Sequence, residues 1–336
     1  MPSSTRRVVV TQRFFDAATV SYLEQNGCQV VIADLPPGKG DGDLSQAELE
    51  ALLDGAVGWI VGHARVTRAL LTALPGLRVI SRRGVGYERI DTDAVRDLGR
   101  VACIAAGGND ASVADHVIGM MLALGRRFRE SQDRMLSGDW SILMGSDLYR
   151  KTVGIVGMGR IGRSVAQRLR GFEAELLVHS PRSDVEDLGD GMTFVSLDEL
   201  LTRSDYVTLH APLTPQTRFM IDGPALARMK PTAFLINAAR GGLVDDEALL
   251  HALQAGRLAG AGLDTFVSES DPAYRSISDA LLALPNVGAT PHAAASSREG
   301  LDRTNRVAAQ CVVDVLDDRT PPLACVVADG RAFVSA

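Results

Sequence analysis

The sequence predicts an α/β fold with two doubly wound, parallel sheets. Two observations support this prediction. Short strands rich in valine alternate with helices over residues 7–105, as in a parallel sheet whose strands are joined by crossover helices. A glycine-rich turn at residues 157–162 then follows another apolar strand and opens a second α/β series.

The predicted elements follow one another in a regular order. In the first series, Asp16 and Asp91 are predicted to cap helices. A longer helix is predicted from residue 111 to about 127, because its apolar residues fall on one helical face. The predicted strands are 7–11, 29–33, 57–61, 77–81 and 101–105, then 174–178, 206–210, 233–237, 260–263 and 287–289, and a final helix covers 296–316.

The glycine turn has the pattern G-x-G-x-x-G, with Arg160 and Ile161 between its last two glycines. Gly157 permits a tight turn, Gly159 lets the backbone approach a pyrophosphate, and Gly162 allows close packing of helix on strand. The helix start offers free N–H groups to phosphates. Such turns also occur for purely structural reasons. The strand before this one, the helix after it and the next strand at 174–178 favour a dinucleotide site.

Length and composition limit the classes of protein to consider. The chain has 336 residues, enough for two domains. A net charge of −6 and a pI near 5.6 argue against nucleic-acid binding. The apolar runs are too short to span a membrane, and the first residues lack the core of a signal peptide. The four scattered cysteines indicate no zinc site and no redox motif, so we expect a cytoplasmic protein with no metal.

Three polar residues follow later strands and could serve a dinucleotide-dependent reaction: Arg240, Glu269 and His292. A histidine titrates near neutrality and can protonate the oxygen of a ketone that receives hydride. A carboxylate would favour the imidazolium, and a guanidinium can hold a substrate carboxylate. Taken singly, these residues fit surface charges and an ordinary hydrogen-bonded histidine equally well, and their spacing alone does not bring them together.

Several longer motifs occur in a set order across nearly the whole chain. They cover residues 84–91, Asn109 with 112–116, the glycine turn, 210–217, 229–231, 235–246, 260–266 and 285–292. With these motifs the chain closely resembles the D-isomer-specific 2-hydroxyacid dehydrogenases, the family of phosphoglycerate dehydrogenase and glyoxylate/hydroxypyruvate reductase.

The resemblance implies a Rossmann cofactor domain inserted into a flavodoxin-like substrate domain. The expected substrate (catalytic) domain comprises residues 1–103 and 294–336, and the expected NAD(P)-binding domain comprises residues 104–293. Members of the family are usually dimers, with the helix that begins at Ala111 near the interface. The resemblance therefore implies a homodimer.

The same resemblance implies roles for individual residues. His292 would be the general acid/base, Glu269 its partner, and Arg240 the anchor of the substrate carboxylate, with His292 also touching substrate. Backbone groups around Val85 and Gly86 would help to hold that carboxylate. The cofactor-binding candidates are Gly157, Gly159, Arg160, Ile161, Gly162, Ser180, Arg182, His210, Ala211, Pro212, Thr217, Ala238 and Asp264, the last for the nicotinamide carboxamide.

One departure from the family bears on the choice of cofactor. Members that prefer NAD place an aspartate at the end of the second strand of the cofactor domain, whereas Ser180 stands here and Arg182 follows. Loss of the carboxylate removes its repulsion of a 2′-phosphate, and an arginine can pair with that phosphate. We therefore predict a preference for NADP(H), with NAD(H) as the alternative.

These inferences lead to an NADPH-linked reductase of a small 2-oxo acid such as glyoxylate or hydroxypyruvate. An NAD-linked D-3-phosphoglycerate dehydrogenase is the second interpretation, for which Arg82 and Arg83 would supply positive charge. A third is a dinucleotide-sensing binding protein like the corepressors that share this fold. The sequence leaves the side chain of the substrate open.

Overall fold

The computed structural model describes residues 6–181 and 191–331 and divides into two compact units. Unit 1 contains Met1–Asn109 and Ser296–Ala336, and unit 2 contains Asp110–Ala295. The sequence predicted 104–293 for the inserted domain. The unit boundaries differ because Ala105 N still donates to Arg82 O (3.1 Å) and Gly84 O (2.9 Å) in unit 1. Ala294, in contrast, packs in the core of unit 2.

Unit 1 contains one sheet in the order β13-β5-β4-β3-β1-β2. All described pairings are parallel except that of β13 with β5. The order β2-β1-β3-β4-β5 is that of the flavodoxin-like fold, as predicted. The strands are β1 (Arg6–Val10), β2 (Cys28–Ile32), β3 (Gly58–Val61), β4 (Val79–Arg82), β5 (Val101–Ile104) and β13 (Val326–Asp329).

The helices of unit 1 cover both faces of this sheet. Asp16 and Asp91 accept hydrogen bonds from Thr19 N and Ala94 N, so both predicted N-caps are confirmed. The C-terminal helix packs its apolar residues against the valine-rich strands, which completes the unit from the far end of the chain. The helices are α1 (Ala17–Gln25), α2 (Gln46–Leu53), α3 (Arg68–Ala73), α4 (Thr92–Asp97) and α12 (Arg298–Leu316).

Unit 2 contains one parallel sheet in the order β12-β11-β10-β9-β6-β7-β8. Read from β6, this is the Rossmann order with one further strand at its edge, so the predicted fold of this unit is also confirmed. The strands are β6 (Thr152–Val156), β7 (Glu175–His179), β8 (Met192–Phe194), β9 (Tyr206–Leu209), β10 (Phe234–Asn237), β11 (Gly260–Leu263) and β12 (Val287–Ala289).

Helices pack on both faces of the second sheet, and side chains alternate between them. Leu176 and Val178 face the core shared with α5 and α7, while Leu177 faces the core on the opposite side. The strands are therefore buried on both faces, which accounts for their continuous apolar sequence. The helices are α5 (Asp110–Gly125), α6 (Phe128–Leu136), α7 (Arg160–Leu169), α8 (Leu197–Arg203), α9 (Gly223–Arg228), α10 (Asp246–Gln254) and α11 (Arg275–Ala283).

Two further findings concern the whole described chain. Within residues 6–181 and 191–331, no helix combines the length and apolarity needed to cross a bilayer. All four cysteines lie in this part of the chain and are buried and free.

Candidate active site

The predicted site residues of unit 2 share one edge of its sheet. Because β6 to β12 run parallel, their carboxyl ends meet at the same edge, where doubly wound sheets bind ligands. The residues that directly follow these strand ends include Gly157, Ser180, His210, Ala238 and Asp264, with Arg240 and His292 only a few residues further along.

The glycine turn joins β6 to α7. Gly157 has φ +98°, and a Cβ there would lie 2.7 Å from His210 C and O. Only glycine therefore fits this left-handed turn beside the next strand end. A Cβ at Gly162 would overlap Gly157 O, whereas one at Gly159 would meet nothing within 4 Å. Close packing thus requires glycine at Gly157 and Gly162, and the open space over Gly159 leaves room for the phosphate contact that stays a prediction.

The helix after this turn starts without a side-chain cap. α7 begins at Arg160, with Gly159 as its N-cap. The first amides of the helix are therefore left to a ligand, the usual arrangement at phosphate-binding helix starts. Arg160 is exposed and Ile161 packs on the core of unit 2.

Ser180 and Arg182 are the two residues predicted to set the choice of cofactor. Ser180 directly follows β7, where an aspartate would reach the ribose hydroxyls of NAD. Arg182 lies outside the described residues.

The end of β9 forms one wall beside the glycine turn. Burial lowers the pKa of His210 to about 4, so its ring is neutral at pH 7. Its Nε2 lies 3.0 Å from Thr208 Oγ1. Ala211 and Pro212 follow, and Thr217 Oγ1 donates to Pro212 O at 2.6 Å. Thr217 therefore shapes this loop through the hydrogen bond of its side-chain hydroxyl to the backbone.

His292 and Glu269 form a hydrogen-bonded pair. His292 Nδ1 lies 2.7 Å from Glu269 Oε2, and each side chain is 40% exposed. Burial raises the pKa of Glu269, but the contact with His292, the Phe266 amide and the charge of Arg240 outweigh it and lower the pKa below its ordinary value. The Glu269 carboxylate is thus charged at neutral pH and favours an imidazolium opposite it.

Arg240 belongs to a tight loop after β10. The buried Asn237 closes this loop, because its Nδ2 donates to Arg240 O (2.9 Å) and its Oδ1 accepts from Ala239 N (3.2 Å). Asn237 is therefore structural, and Ala238 is buried in the same turn. Gly241 lies against Phe266 so closely that a Cβ would overlap Phe266 O. The Arg240 loop and the loop before Glu269 are thus in backbone contact.

Asp264 holds the backbone on which His292 sits. Its carboxylate, 1% exposed, accepts from Thr290 Oγ1 (2.5 Å), Ala293 N (2.7 Å) and Ala294 N (3.0 Å). Its carbonyl accepts from His292 N at 2.8 Å. His292 has φ +51°, a strained conformation for a non-glycine residue that these bonds stabilise. The predicted contact of Asp264 with a nicotinamide carboxamide stays a prediction, because the carboxylate is buried and already accepts from these three donors.

The structure adds two carboxyl groups that the sequence reasoning missed. Asp41 in unit 1, 1% exposed, accepts from Gly62 N (2.7 Å) and His63 N (2.8 Å). Asp246 in unit 2, 2% exposed, accepts from Val267 N at 2.9 Å. Neither aspartate belongs to a sequence motif that marks such a contact, so only the fold reveals these long-range hydrogen bonds.

The predicted substrate contacts of unit 1 lie after β4. Val85 is half-buried and Gly86 buried in this loop. Arg83, just before it, donates to Gln12 Oε1 (2.8 Å) and Arg13 O (2.7 Å). Its guanidinium therefore fastens the loop after β1, and this favours a structural role over the phosphate-binding role considered from sequence.

The residues of unit 2 fit a bound dinucleotide. The open space over Gly159 and the uncapped start of α7 can take phosphates. The neutral ring of His210 adds no charge beside them. Within the described part of the chain, no group of three histidine, cysteine, aspartate or glutamate side chains could hold a metal ion. The charged residues that remain can bind a carboxylate through Arg240 and transfer a proton through His292.

Comparison with known proteins supplies independent findings. The profile of the family described as D-isomer specific 2-hydroxyacid dehydrogenase, NAD binding domain, matches residues 118–294. The chain is 35% identical to a glyoxylate reductase of Thermofilum pendens over 328 residues, 94% of each protein. It is 38% identical to a D-3-phosphoglycerate dehydrogenase of Mycobacterium bovis over 250 residues, 74% of this chain and 46% of the relative. The match thus spans about half the length of that second relative.

A solved structure shares the whole architecture. The TT0316 protein of Thermus thermophilus has a TM-score of 0.84 and 35% identity, covering 96% of this chain and 99% of that one. The similarity extends over both units.

Proposed function

Because the chain belongs to the D-isomer specific 2-hydroxyacid dehydrogenase family, we propose that it is an NAD(P)-dependent oxidoreductase acting on a small 2-hydroxy or 2-oxo acid. The observation that carries the proposal is the pair of His292 Nδ1 and Glu269 Oε2 at 2.7 Å, beside Arg240 at the sheet edge that also carries the glycine turn. When bound, the nicotinamide supplies or accepts the hydride at its C4.

His292 has the geometry of a general acid/base. Its Nδ1 is occupied by Glu269, so Nε2 is the atom that gives a proton to the carbonyl oxygen during reduction and takes it back during oxidation. The charged Glu269 stabilises the imidazolium and fixes the ring orientation. The strained backbone of His292 is held by Asp264, which limits the directions in which the ring can point.

Arg240 supplies the second requirement, recognition of the substrate carboxylate. A guanidinium can form two parallel hydrogen bonds to a carboxylate and place the neighbouring carbonyl in a fixed orientation. The loop closed by Asn237 holds Arg240 for this task. Val85 and Gly86 remain predicted backbone contacts of a substrate carboxylate.

Reduction of a short 2-oxo acid, such as glyoxylate or hydroxypyruvate, is the proposed direction. The use of Arg83 to fasten the loop after β1 leaves less support for a phosphorylated substrate. We keep the cofactor proposal of NADP(H) over NAD(H) because Ser180 stands where a carboxylate would repel a 2′-phosphate, and Arg182 stays a predicted phosphate partner. A cytoplasmic location stays a prediction.

Changing Ser180→Asp is expected to reverse the cofactor preference. Wild-type kcat/KM should favour NADPH over NADH by about 10-fold or more, and the new carboxylate should lower the NADPH value by about 10- to 100-fold through repulsion of the 2′-phosphate. The measurement is the initial rate with each cofactor at saturating 2-oxo acid. Ser276→Asp is the matched control, since it adds the same charge on an exposed position of α11. Equal use of both cofactors by the wild type would count against the NADP(H) proposal.

A homodimer is also proposed, supported by exposed apolar residues on and after α6. A groove of about 840 Å³ is lined by residues of α5 and α6, and its lining includes Met120, Leu124 and Met144. Large apolar surfaces of this kind mark protein interfaces. The exposed residues are Phe128, Met135, Leu136, Trp140, Ile142 and Met144.

Sedimentation equilibrium tests the homodimer. The expected mass is twice the chain mass of 35.7 kDa, and Leu136→Glu with Trp140→Glu should shift the protein to the monomer, because two charges would be buried in an apolar interface. A wild-type protein that stays monomeric at micromolar concentration would contradict the proposal.

A further inference from the structure

A buried carboxyl in unit 2 lies just outside the residues that the proposed chemistry uses. Asp246 begins α10 and is 2% exposed. The start of this helix is already capped by Asp245, whose side chain accepts from Glu247 N (3.1 Å) and Ala248 N (3.2 Å). The Asp246 carboxyl is therefore not required as a cap of its own helix.

Its partner is the turn that carries Glu269. Asp246 Oδ2 accepts from Val267 N at 2.9 Å, and Val267 is the first residue of a 3₁₀ turn that ends at Glu269. Glu269 Oε1 accepts from Phe266 N (2.8 Å), and Oε2 meets His292 Nδ1 (2.7 Å). One hydrogen bond thus joins the first turn of α10 to the 3₁₀ turn that carries Glu269.

The same bond also couples the Arg240 loop to this turn. The segment from Arg240 to Asp246 touches the Glu269 loop at both ends: Gly241 lies against Phe266 O, and Asp246 bonds Val267 N. Two separated contacts hold a segment against rotation better than one. They fix the position of the Arg240 loop relative to Glu269.

Burial of the Asp246 carboxyl has a cost in stability. Burial raises the pKa of Asp246 to about 6, the Val267 amide acts against this shift, and the charges of Asp245 and Glu269 add to it. Because the folded pKa exceeds the ordinary value, the charged form destabilises the fold as pH rises through about 4 to 6. An apolar residue would avoid that cost, but it would leave the buried Val267 amide without an acceptor.

We propose that Asp246 is a positioning residue. Its hydrogen bond with the Val267 amide holds Glu269 in place beside His292 and Arg240. Without this acceptor the 3₁₀ turn opens more often, and Glu269 spends less time bonded to His292. The His292 ring is then held less firmly in the orientation that presents Nε2, so proton transfer is slower. The kinetic part of this inference rests on the proposed function, whereas the hydrogen bond does not.

The test compares Asp246→Ala with Asp246→Asn, whose amide oxygen can still accept from Val267 N. Asp222→Ala is the matched control, because Asp222 accepts one amide, Ala225 N at 2.9 Å, at the start of α9. The first measurement is amide hydrogen exchange in the peptide covering 266–271, which needs no activity. The second is kcat and KM, determined separately, and the melting temperature reports folding.

We expect faster exchange in Asp246→Ala and a loss of about 10-fold in kcat/KM from one missing hydrogen bond, falling on kcat and not on KM. Asp246→Asn should restore the exchange and stay within about 3-fold in rate. Wild-type exchange and an unchanged kcat in Asp246→Ala would overturn the proposal, as would faster exchange and a lower kcat in Asp222→Ala. If the wild type reduces no 2-oxo acid, the proposed function fails, and the exchange measurement still decides the role of Asp246.

Discussion

Replacing His292 by asparagine is expected to lower kcat/KM for a 2-oxo acid by about 10³-fold, or about 4 kcal/mol in transition-state stabilisation. Asparagine can occupy the position of the ring, but its amide cannot transfer a proton at neutral pH. The effect should fall on kcat, because the residue acts on the reacting oxygen. The affinity for the dinucleotide should change little, since the glycine turn and α7 lie on other elements.

The matched control for this change is His251→Asn, at an exposed position on α10, which should leave all rates unchanged. Glu269→Gln provides an intermediate case. It keeps the hydrogen-bonding shape but removes the carboxylate charge opposite His292, so the rate should fall less than in His292→Asn. Stopped-flow rates with saturating cofactor measure both effects. A His292→Asn protein that keeps more than about a tenth of the wild-type rate would rule out His292 as the acid.

Changing Arg240→Lys is expected to lower kcat/KM for the oxo acid by about 10²-fold, and Arg240→Ala by about 10³-fold or more. Lysine keeps the charge but loses the two parallel hydrogen bonds, each worth about 1.5–3 kcal/mol when charge-assisted. The KM of the oxo acid should rise in both variants. Because Arg240 also lowers the pKa of Glu269, the alanine variant should lose activity at a higher pH when the protein is acidified.

Arg257→Lys is the matched control, since Arg257 is exposed after α10. Dinucleotide affinity, measured by fluorescence titration, should be the same in all these variants. A large loss of dinucleotide affinity in Arg240→Lys with an unchanged KM for the oxo acid would contradict its proposed contact with the substrate carboxylate.

The pattern of the sequence was sufficient for the fold but not for all of its boundaries. Runs such as Val8 to Val10 and Phe234 to Asn237 alternate with helices, and this alternation predicts parallel sheets. The helix α6 was not predicted. The chain breaks after α5 because Arg127 takes a left-handed φ of +53°, and such a break leaves no clear trace in a polar segment.

The candidate site was predictable where a local motif carries its own physical reason. The turn at Gly157 needs a residue without Cβ, and the sequence alone expresses that need. The meeting of Glu269 and His292 was expected only by resemblance, because 23 residues separate them along the chain. Asp41 and Asp246 were missed, since their partners are backbone amides, which no side-chain motif marks.

The most direct test of the central claim is product analysis with the wild-type protein. NADPH consumption would be followed with glyoxylate, hydroxypyruvate, pyruvate and a bulkier aryl 2-oxo acid, and the configuration of each chiral product would then be determined. We predict consumption of NADPH with at least one of these acids and a product of D configuration wherever the product is chiral. Tight dinucleotide binding without turnover of any of them, or a product of L configuration, would contradict the account.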